Sequence, residues 1–338
     1  MHGRSVGEWD HVLALDVFLC CALIGLSTLG CVTSRAAGDL AVEQDGSDNL
    51  RFSAGADGAY QFDTGVVRGE IRLGEKTLGL SSLVHKPTGA RLDGRYGILS
   101  YYRIFTAGKR YGHAAWDWPC DAKILPDGSV QIFWHAQADH PFEIAATYRW
   151  LNPSTLDVVT RVKAEAGLAD FEVFLASYFD KAFEVPSAYV SGDAEAAGLR
   201  RFLTAKKSYG NWQMFPRDAD VVSMIRDGRW TRPPNPVDWA IMPQLAGPVC
   251  IRRGSEHDLA VVLMSSPDDC FAVSMPYEGE THYSLYLSLF GRDIAAGDVH
   301  TTRCRFLVAS DLSNRHIVNQ YEAYLRELIA EGRSGGDR

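Results

Sequence analysis

The stretch "FEIAATYRWLNPSTLDVVTRVKA", residues 142–164, decides the fold class of this 338-residue chain. Apolar and polar side chains alternate from Phe142 to Trp150, and the alternation continues from Thr155 to Ala164. The intervening "LNPS" has the composition of a turn. Because a period of two separates the two faces of a strand, the stretch predicts an antiparallel hairpin with one buried face.

Similar β-prone runs lie on both sides of this hairpin, and no helical pattern separates them. They are "AYQFDTGVVRGEIRLGEKTLGLSSLVH" (59–85), "DFEVFLASYF" (170–179), "LAVVLMSS" (259–266), "CFAVSM" (270–275), "THYSLYLSLF" (281–290) and "VHTTRCRFLVA" (299–309). Successive strands without crossover helices favour an all-β sandwich or barrel over a parallel α/β sheet. We expect a single domain over residues 57–332.

One helix is expected at the end of that domain, over residues 313–331. Its cap is Ser313 or Asp311, and Gly332 ends it. Docking of its apolar face on the sheets is the simpler expectation, and a partner-binding helix is the alternative. That face carries Ile317, Tyr321, Tyr324, Leu325, Leu328 and Ile329.

Charge and cysteine usage exclude several classes of partner. The formal net charge is −8 and no dense Lys/Arg run occurs, so no nucleic acid is expected as a partner. Cys120, Cys250, Cys270 and Cys304 form neither CxxC nor Cys/His metal spacing, so neither a metal nor a cofactor is expected. In an exported protein these four could pair in three ways, or they could be buried free thiols.

The N-terminal segment is interpreted as a leader. Residues 1–37 are expected to be a signal peptide or a lipoprotein leader, and residues 38–56 a linker. The apolar run from Val17 to Gly30 has signal-peptide length, and cleavage after Ala36 would place small residues correctly. Alternatively, "LGC" would lipidate Cys31, the only membrane tether expected. Export to the periplasm, cell envelope or medium follows, unless the start codon is misassigned.

No GxSxG, P-loop, HExxH, EF-hand or dinucleotide motif is present, so several enzyme classes are excluded. Three clusters instead combine aromatic with ionisable residues, over 100–121, 206–239 and 277–293. Flat aromatics fit the C–H face of a sugar, and Arg, His and carboxylates fit its hydroxyls or a carboxylate. The candidate acid/base residues are His113 or His282 with Asp117 or Glu280; the candidate substrate-binding residues are Tyr102, Arg103, Arg110, Trp116, Trp212, Arg217, Trp230 and Arg292.

Each cluster also has a purely structural interpretation. Tyr101 and Phe105 could be core. If extended, Trp116 and Trp118 would point the same way and could close one end of the sandwich. The loop "TRPPNP" between Trp230 and Trp239 could have only a structural role. The segment "YGNWQMFPRD" (209–218) is interpreted as an aromatic loop that either covers the core or forms the wall of a ligand site.

Three segments resemble the galactose mutarotase-like superfamily: "YQFDTGVVRGEIRLGEKTLGLSSLVHKPTG", "SYYRIFTAGKRYG" and "LFGRDIAAGDVHTTRCRFLV". The resemblance spans about residues 60–309. It implies a large antiparallel β-supersandwich that acts on carbohydrates. The family's epimerases use a His acid and a Glu base; "MPYEGETHY" lies near the position of the expected base segment but does not match it residue by residue.

Three functions therefore remain open, all with a carbohydrate ligand. The first is an epimerase-like enzyme with the acid/base residues given above. The second is a polysaccharide lyase in which Arg217 or Arg292 neutralises a uronate and Tyr283 or His282 is the base. The third is a non-catalytic glycan-binding protein.

Overall fold

The computed structural model describes residues 48–55, 58–192 and 199–335, and within them β-strands predominate. Short 3-10 helices lie at Asp48–Leu50, Ala115–Asp117, Lys207–Tyr209 and Arg229–Thr231. In chain order the other elements are β1 (Ser53–Ala54), β2 (Tyr60–Asp63), β3 (Val67–Arg72), β4 (Leu78–His85), β5 (Ala90–Arg91), β6 (Ser100–Thr106), β7 (Lys109–Arg110), β8 (Asp121–Ile124), β9 (Val130–Trp134), β10 (Phe142–Asn152), β11 (Thr155–Ala164), β12 (Leu168–Tyr178), β13 (Val185–Val190), β14 (Arg201–Thr204), β15 (Trp212–Pro216), α1 (Val221–Ile225), β16 (Ala240–Ile241), β17 (Leu245–Arg253), β18 (Leu259–Ser265), β19 (Cys270–Pro276), β20 (Ser284–Ile294), β21 (Val299–Ser310) and α2 (Asn314–Gly335).

The hairpin expected over residues 142–164 is confirmed as β10 and β11. The two strands pair in continuous register from Phe142 opposite Ala164 to Trp150 opposite Leu156. At the turn the backbone N–H of Ser154 donates to the Asn152 side chain at 3.0 Å. The apolar set of β10 faces the core, as a period of two requires.

The sandwich consists of two large sheets that share one core. A nine-stranded sheet has the order β14-β13-β17-β18-β21-β11-β10-β9-β8, and a seven-stranded sheet has the order β16-β15-β19-β20-β12-β6-β7. Interior residues of both sheets, such as Val158 of β11 and Val173 of β12, belong to the same hydrophobic cluster. A five-stranded sheet, β1 to β5, also packs into it. The expected all-β class is confirmed.

Helix α2 covers the outer face of the nine-stranded sheet. Ser313 caps it, since its hydroxyl accepts the backbone N–H of His316 at 3.2 Å. Ile317, Tyr321 and Tyr324 are buried against β17 and β18, which confirms the docking interpretation. Ile329, placed on the same face by the sequence, is instead exposed. The expected end of the helix at Gly332 is also wrong, because α2 continues to Gly335.

The outer face of the seven-stranded sheet carries a second, strongly aromatic cluster. The segment after α1 crosses this face and is anchored by a buried ion pair. Arg229 is fully buried and donates to Glu172 of β12 at 3.0 Å and to Asp227 at 2.9 Å. The anchor fixes a non-repetitive segment over the sheet, which is the layer where the candidate site lies.

The leader expected over residues 1–37 lies outside the described residues. Of the expected linker, residues 48–55 are described, and Phe52 within them is buried in the core. Cys120, Cys250, Cys270 and Cys304 are free thiols, and all but Cys120 are buried. Among the helices of the described ranges, none is long and apolar enough to cross a membrane.

Candidate functional site

A β-bulge in β6 sets which side chains reach the outer face of the seven-stranded sheet. Arg103 lies opposite Phe174 of β12, but the next pair joins Tyr101 to Leu175, so Tyr102 is an extra residue. Bulges of this kind re-aim side chains. Tyr101 therefore faces the core between the sheets, whereas the side chains of Tyr102, Arg103 and Phe105 lie on the outer face.

An open cleft of about 440 Å³ lies on this face, within the size range of small-molecule sites. We call it the aromatic cleft. The strands of the sheet provide its floor, and loops from five parts of the chain provide its walls. It is lined by Lys76, Tyr96, Tyr102, Arg103, His113, Trp116, Phe174, Tyr178, Trp212, Trp230, Asn235, Pro236, Val237, Trp239, His282 and Tyr286.

Arg103 is the buried cation of the aromatic cleft. Only 4% of it is exposed, and its Nη2 donates to the Asn235 carbonyl at 2.8 Å and to the Tyr102 hydroxyl at 3.3 Å. Its guanidinium also lies 4.8 Å from the Tyr102 ring and 5.4 Å from the Trp230 ring. Within the described ranges no carboxylate pairs with it, and its Nε and Nη1 have no hydrogen-bond partner.

Three aromatic rings form a parallel stack along one wall. Trp116 stacks on Tyr102, at a centroid distance of 4.3 Å, and on Tyr96, at 5.3 Å. These two rings take up ring area that a sugar would need, and the expected stacking of a sugar on Trp116 stays a prediction. Trp118 does not follow it, because the 3-10 helix Ala115–Asp117 turns the chain and Trp118 stacks on His140 instead.

His113 forms the first histidine–carboxylate pair of the site. Its Nδ1 lies 3.2 Å from Oδ2 of Asp117, and Asp117 also binds the Lys76 ammonium. The His113 ring is half-exposed and lines the cleft, whereas Asp117 is not part of the cleft lining. A carboxylate on one ring nitrogen fixes the imidazole orientation and leaves the other nitrogen for proton transfer.

His282 forms a second pair of the same type. Its Nδ1 lies 2.7 Å from Oε1 of Glu280, whose other oxygen accepts the backbone N–H of His282 at 2.8 Å. This ring is also half-exposed, and it makes an edge contact with Trp212 at 5.3 Å. The structure thus brings both expected histidines to one cleft, whereas Asp117 and Glu280, expected as the opposite acid/base partner, each bond to a histidine and do not line the cleft.

Two phenols of the cleft floor remain protonated at neutral pH. Burial raises the pKa of Tyr286 to about 12 and raises that of Tyr178 well above its ordinary value. The Ser284 hydroxyl donates to Tyr286 at 2.8 Å. These phenols are therefore suited to hydrogen bonding with a ligand, and the histidines are the better candidates for a base.

The remaining tryptophans pack edge to face around the opposite wall. Trp230 and Trp239 are buried and contact each other at 5.2 Å, and Trp239 contacts Trp212 at 6.0 Å. The interpretation of residues 209–218 as a loop is wrong in part, because Trp212–Pro216 form β15 at one side of the sheet. Trp212 lines the cleft from this strand, and Phe215 is core.

Three of the expected substrate-binding arginines do not line the cleft. Arg217 binds Asp218 at 2.6 Å and the Pro267 carbonyl at 3.1 Å. Arg292 donates to the Asp268 carbonyl. The guanidinium of Arg110 donates to the carbonyls of Pro234 and His113, so it braces two cleft loops. Burial and then the charge of Arg103 lower the pKa of Arg110.

Sequence reasoning did not select several lining residues. They come from segments that the fold alone brings over the sheet, and one signal was available, since Trp239 closes the same Pro-rich loop as Trp230. The residues not selected are Lys76, Tyr96, Phe174, Tyr178, Asn235, Pro236, Val237, Trp239 and Tyr286. Within the part of the chain that the structure describes, no cluster of His, Cys, Asp and Glu could hold a metal ion.

No family model and no curated protein matches the chain. Solved structures do. An α-N-acetylgalactosaminidase, NagBb from Bifidobacterium bifidum in its quadruple-mutant form, has 15% identity and a TM-score of 0.50, over 79% of this chain and 39% of that chain. The Slr1438 protein from Synechocystis sp. PCC 6803 has 12% identity and a TM-score of 0.46, over 78% and 99%. A "Putative aldose 1-epimerase" from Escherichia coli K12 has 12% identity and a TM-score of 0.40, over 75% and 99%.

At these identities the likeness concerns the fold alone. The chain spans about two-fifths of NagBb, whose whole-protein activity therefore does not transfer.

Proposed function

We propose that this protein acts on a carbohydrate held in the aromatic cleft, with His113 and His282 transferring protons. One observation carries the proposal: two histidines line the same cleft, and each is bonded to a carboxylate. Acid/base opening or isomerisation of a sugar requires one group that gives a proton and one that takes it. Two oriented imidazoles can share these roles.

The orientation of each imidazole ring supports a role as proton donor or proton acceptor. The carboxylate of Asp117 or Glu280 contacts Nδ1, so in the neutral ring Nε2 is an acceptor and can act as a base. In the protonated ring the same Nε2 is a donor and can act as an acid. Each carboxylate therefore orients a histidine and stabilises its charged form.

The aromatic lining supports a sugar as the ligand. Trp212 is the half-buried tryptophan of the cleft, and its contacts with Trp239 and His282 are edge to face, so they leave ring area for the C–H face of a pyranose. The buried Tyr178 and Tyr286 hydroxyls lie in the same lining. Since NagBb is described as an α-N-acetylgalactosaminidase, a sugar-directed role is also compatible with the shared fold.

Turnover of a panel of neutral and acidic mono- and oligosaccharides tests the proposal. We expect His113→Ala and His282→Ala each to lower kcat by about 10²–10⁴-fold. His135→Ala is the matched control, because His135 is also exposed and pairs with a carboxylate, Asp121 at 2.7 Å, but does not line the cleft. Melting temperatures of all three variants separate catalytic loss from unfolding.

The panel also separates the competing functions. Full turnover by both histidine variants would refute the acid/base assignment. An unsaturated product that absorbs in the ultraviolet would identify a lyase in place of an epimerase. Binding without turnover would favour a glycan-binding protein, and no binding of any saccharide would refute the proposal as a whole.

A further inference from the structure

We infer that the ligand is an anionic oligosaccharide that occupies two adjacent subsites, with one anionic group at Arg103 and another at Arg95. The inference rests on the proposed function and specifies its substrate class. Four observations support it: a second pocket adjacent to the cleft, the charge of the two linings, a column of rings between the two arginines, and the buried donors of the cleft.

The second pocket has a volume of about 460 Å³ and shares Lys76 and Tyr96 with the aromatic cleft. We call it the basic pocket. It is lined by Arg72, Leu73, Glu75, Lys76, Leu78, Arg95 and Tyr96. Because Lys76 and Tyr96 line both spaces, the two pockets are adjacent, and the inference places a ligand longer than one sugar across both.

The lining is cationic although the chain is acidic. The formal net charge of the chain is −8, yet the two linings contain four cationic side chains and only Glu75 as an acid. Two of the four are paired already, since Lys76 binds Asp117 and Arg72 binds Glu70. Arg103 and Arg95 have no ion pair with any described residue. One unpaired guanidinium therefore lies in each subsite.

A column of stacked rings fixes the relation of these two guanidinium groups. Arg95 lies 5.3 Å from the ring of Tyr96, which stacks on Trp116 at 5.3 Å. Trp116 stacks on Tyr102 at 4.3 Å, and Arg103 lies 4.8 Å from the Tyr102 ring. Cation–π contacts at both ends hold the arginines on a rigid support. Such preorganisation lowers the entropic cost of binding two anionic groups.

The buried side-chain polar atoms that lack a partner among the cleft-lining residues are all donors. They are Nε and Nη1 of Arg103 and the indole Nε1 of Trp116, Trp230 and Trp239. Buried donors without acceptors are costly, and the cost is larger for a charged group. A carboxylate or sulfate offers only acceptors and suits the planar guanidinium geometry. Both groups share this chemistry, so the test includes each.

Calorimetric titration of the full chain tests the inference with four probes. These are a uronate disaccharide, its carboxyl-reduced neutral counterpart, a sulfated neutral disaccharide and a single uronate. We expect the anionic disaccharides to bind more tightly than the neutral one, and added salt to reduce the difference. Whichever anionic disaccharide binds more tightly identifies the natural group.

Arginine variants locate the two anionic groups. Arg95→Ala removes an exposed side chain, so we expect a loss of up to roughly fivefold for the anionic disaccharide and none for the single uronate. We expect Arg103→Lys to weaken the binding of both the anionic disaccharide and the single uronate by about 10–100-fold, and Arg103→Ala to do the same where it folds. Arg161→Ala, an exposed arginine on β11 of the nine-stranded sheet, is the matched control and should change neither.

Three outcomes would overturn the inference. If the neutral disaccharide binds as tightly as the anionic ones, the substrate class is wrong, while the acid/base proposal stands. If Arg95→Ala has no effect beyond that of Arg161→Ala, the second subsite is wrong. If no saccharide binds, both the inference and the proposed function fail.

Discussion

Replacement of Arg229 by methionine should destabilise the protein strongly, because it leaves a buried carboxylate without its partner. Arg229 is fully buried and Glu172 is 1% exposed. Beyond its contacts with Glu172 and Asp227, the guanidinium donates to the Asp170 carbonyl at 3.0 Å. Breaking a buried pair from one side costs about 3–5 kcal/mol. At roughly 2 °C per kcal/mol for a chain of this size, the melting temperature should fall by about 6–10 °C.

A double variant separates the lost pair from the charge left behind. In Arg229→Met/Glu172→Met the buried carboxylate is also gone, so the double variant should be about 1–3 kcal/mol more stable than the single one. Thermal unfolding followed by circular dichroism measures both, and Arg161→Met, an exposed replacement, should stay within about 0.5 kcal/mol of the parent. A single variant that loses less than about 1 kcal/mol, or a double variant no better than the single one, would refute the reasoning.

The pH dependence of the single variant gives an independent check. Burial raises the pKa of Glu172 above its ordinary value, and removal of Arg229 removes the main influence that lowers it. Between the unfolded and the folded pKa, the native state then binds more protons than the unfolded state, so stability falls as pH rises. The deficit of Arg229→Met relative to the parent should therefore shrink as the pH is lowered from 7 towards 5. A deficit that grows on acidification would contradict this assignment.

Three further predictions concern the ring stack, the helix and the leader. Trp116→Ala should lower the free energy of unfolding by about 3–5 kcal/mol, because the buried indole stacks on two tyrosine rings. Trp212→Ala should mainly weaken sugar binding and change the melting temperature less. Thermal melts and binding titrations compare the two variants. Gly247→Ala should lower the free energy of unfolding by about 1–3 kcal/mol, because a Cβ there would lie 2.4 Å from the ring of Tyr321 on α2. Adding Tyr321→Leu to this variant should restore part of the lost stability in the same thermal melts. Mass spectrometry of protein expressed with its leader should show either cleavage after Ala36 or a lipidated Cys31, and an intact N-terminus in the cell would contradict export.

The strands could be predicted from the sequence because their signal is local. The alternation over 142–164 specifies both strands and the buried face without any knowledge of partners. The wall of the cleft could not be predicted in the same way. The bulge at Tyr102 shifts the alternation by one residue, and no residue type in "SYYRIF" announces it. Strict alternation would place Tyr101 and Arg103 on one side of the sheet, but in the structure they lie on opposite sides.

The relative orientation of Trp116 and Trp118 could not be predicted either, because a short 3-10 helix stands where an extended chain was assumed. Trp116 and Trp118 point the same way only in an extended chain, and the 3-10 helix Ala115–Asp117 separates them. The stack that covers Trp116 uses Tyr96, from the segment before β6. Whether an aromatic ring is a platform or a filler depends on what covers its faces, and that is decided by long-range packing.

The fate of the expected polar residues follows the reach of their side chains. Asp117 or Glu280 was expected as the acid/base partner opposite a histidine, but in the structure Asp117 bonds to His113 and Glu280 bonds to His282. An arginine side chain reaches farther and has five donors, so distant carbonyls compete for it. Arg217 and Arg292 lost their expected role to such partners, and Arg103 retains donors because hydrophobic rings surround it. Candidate ionisable residues such as His113, His282 and Arg103 can therefore be named from the sequence, whereas the partner that each of them binds becomes visible only in the fold.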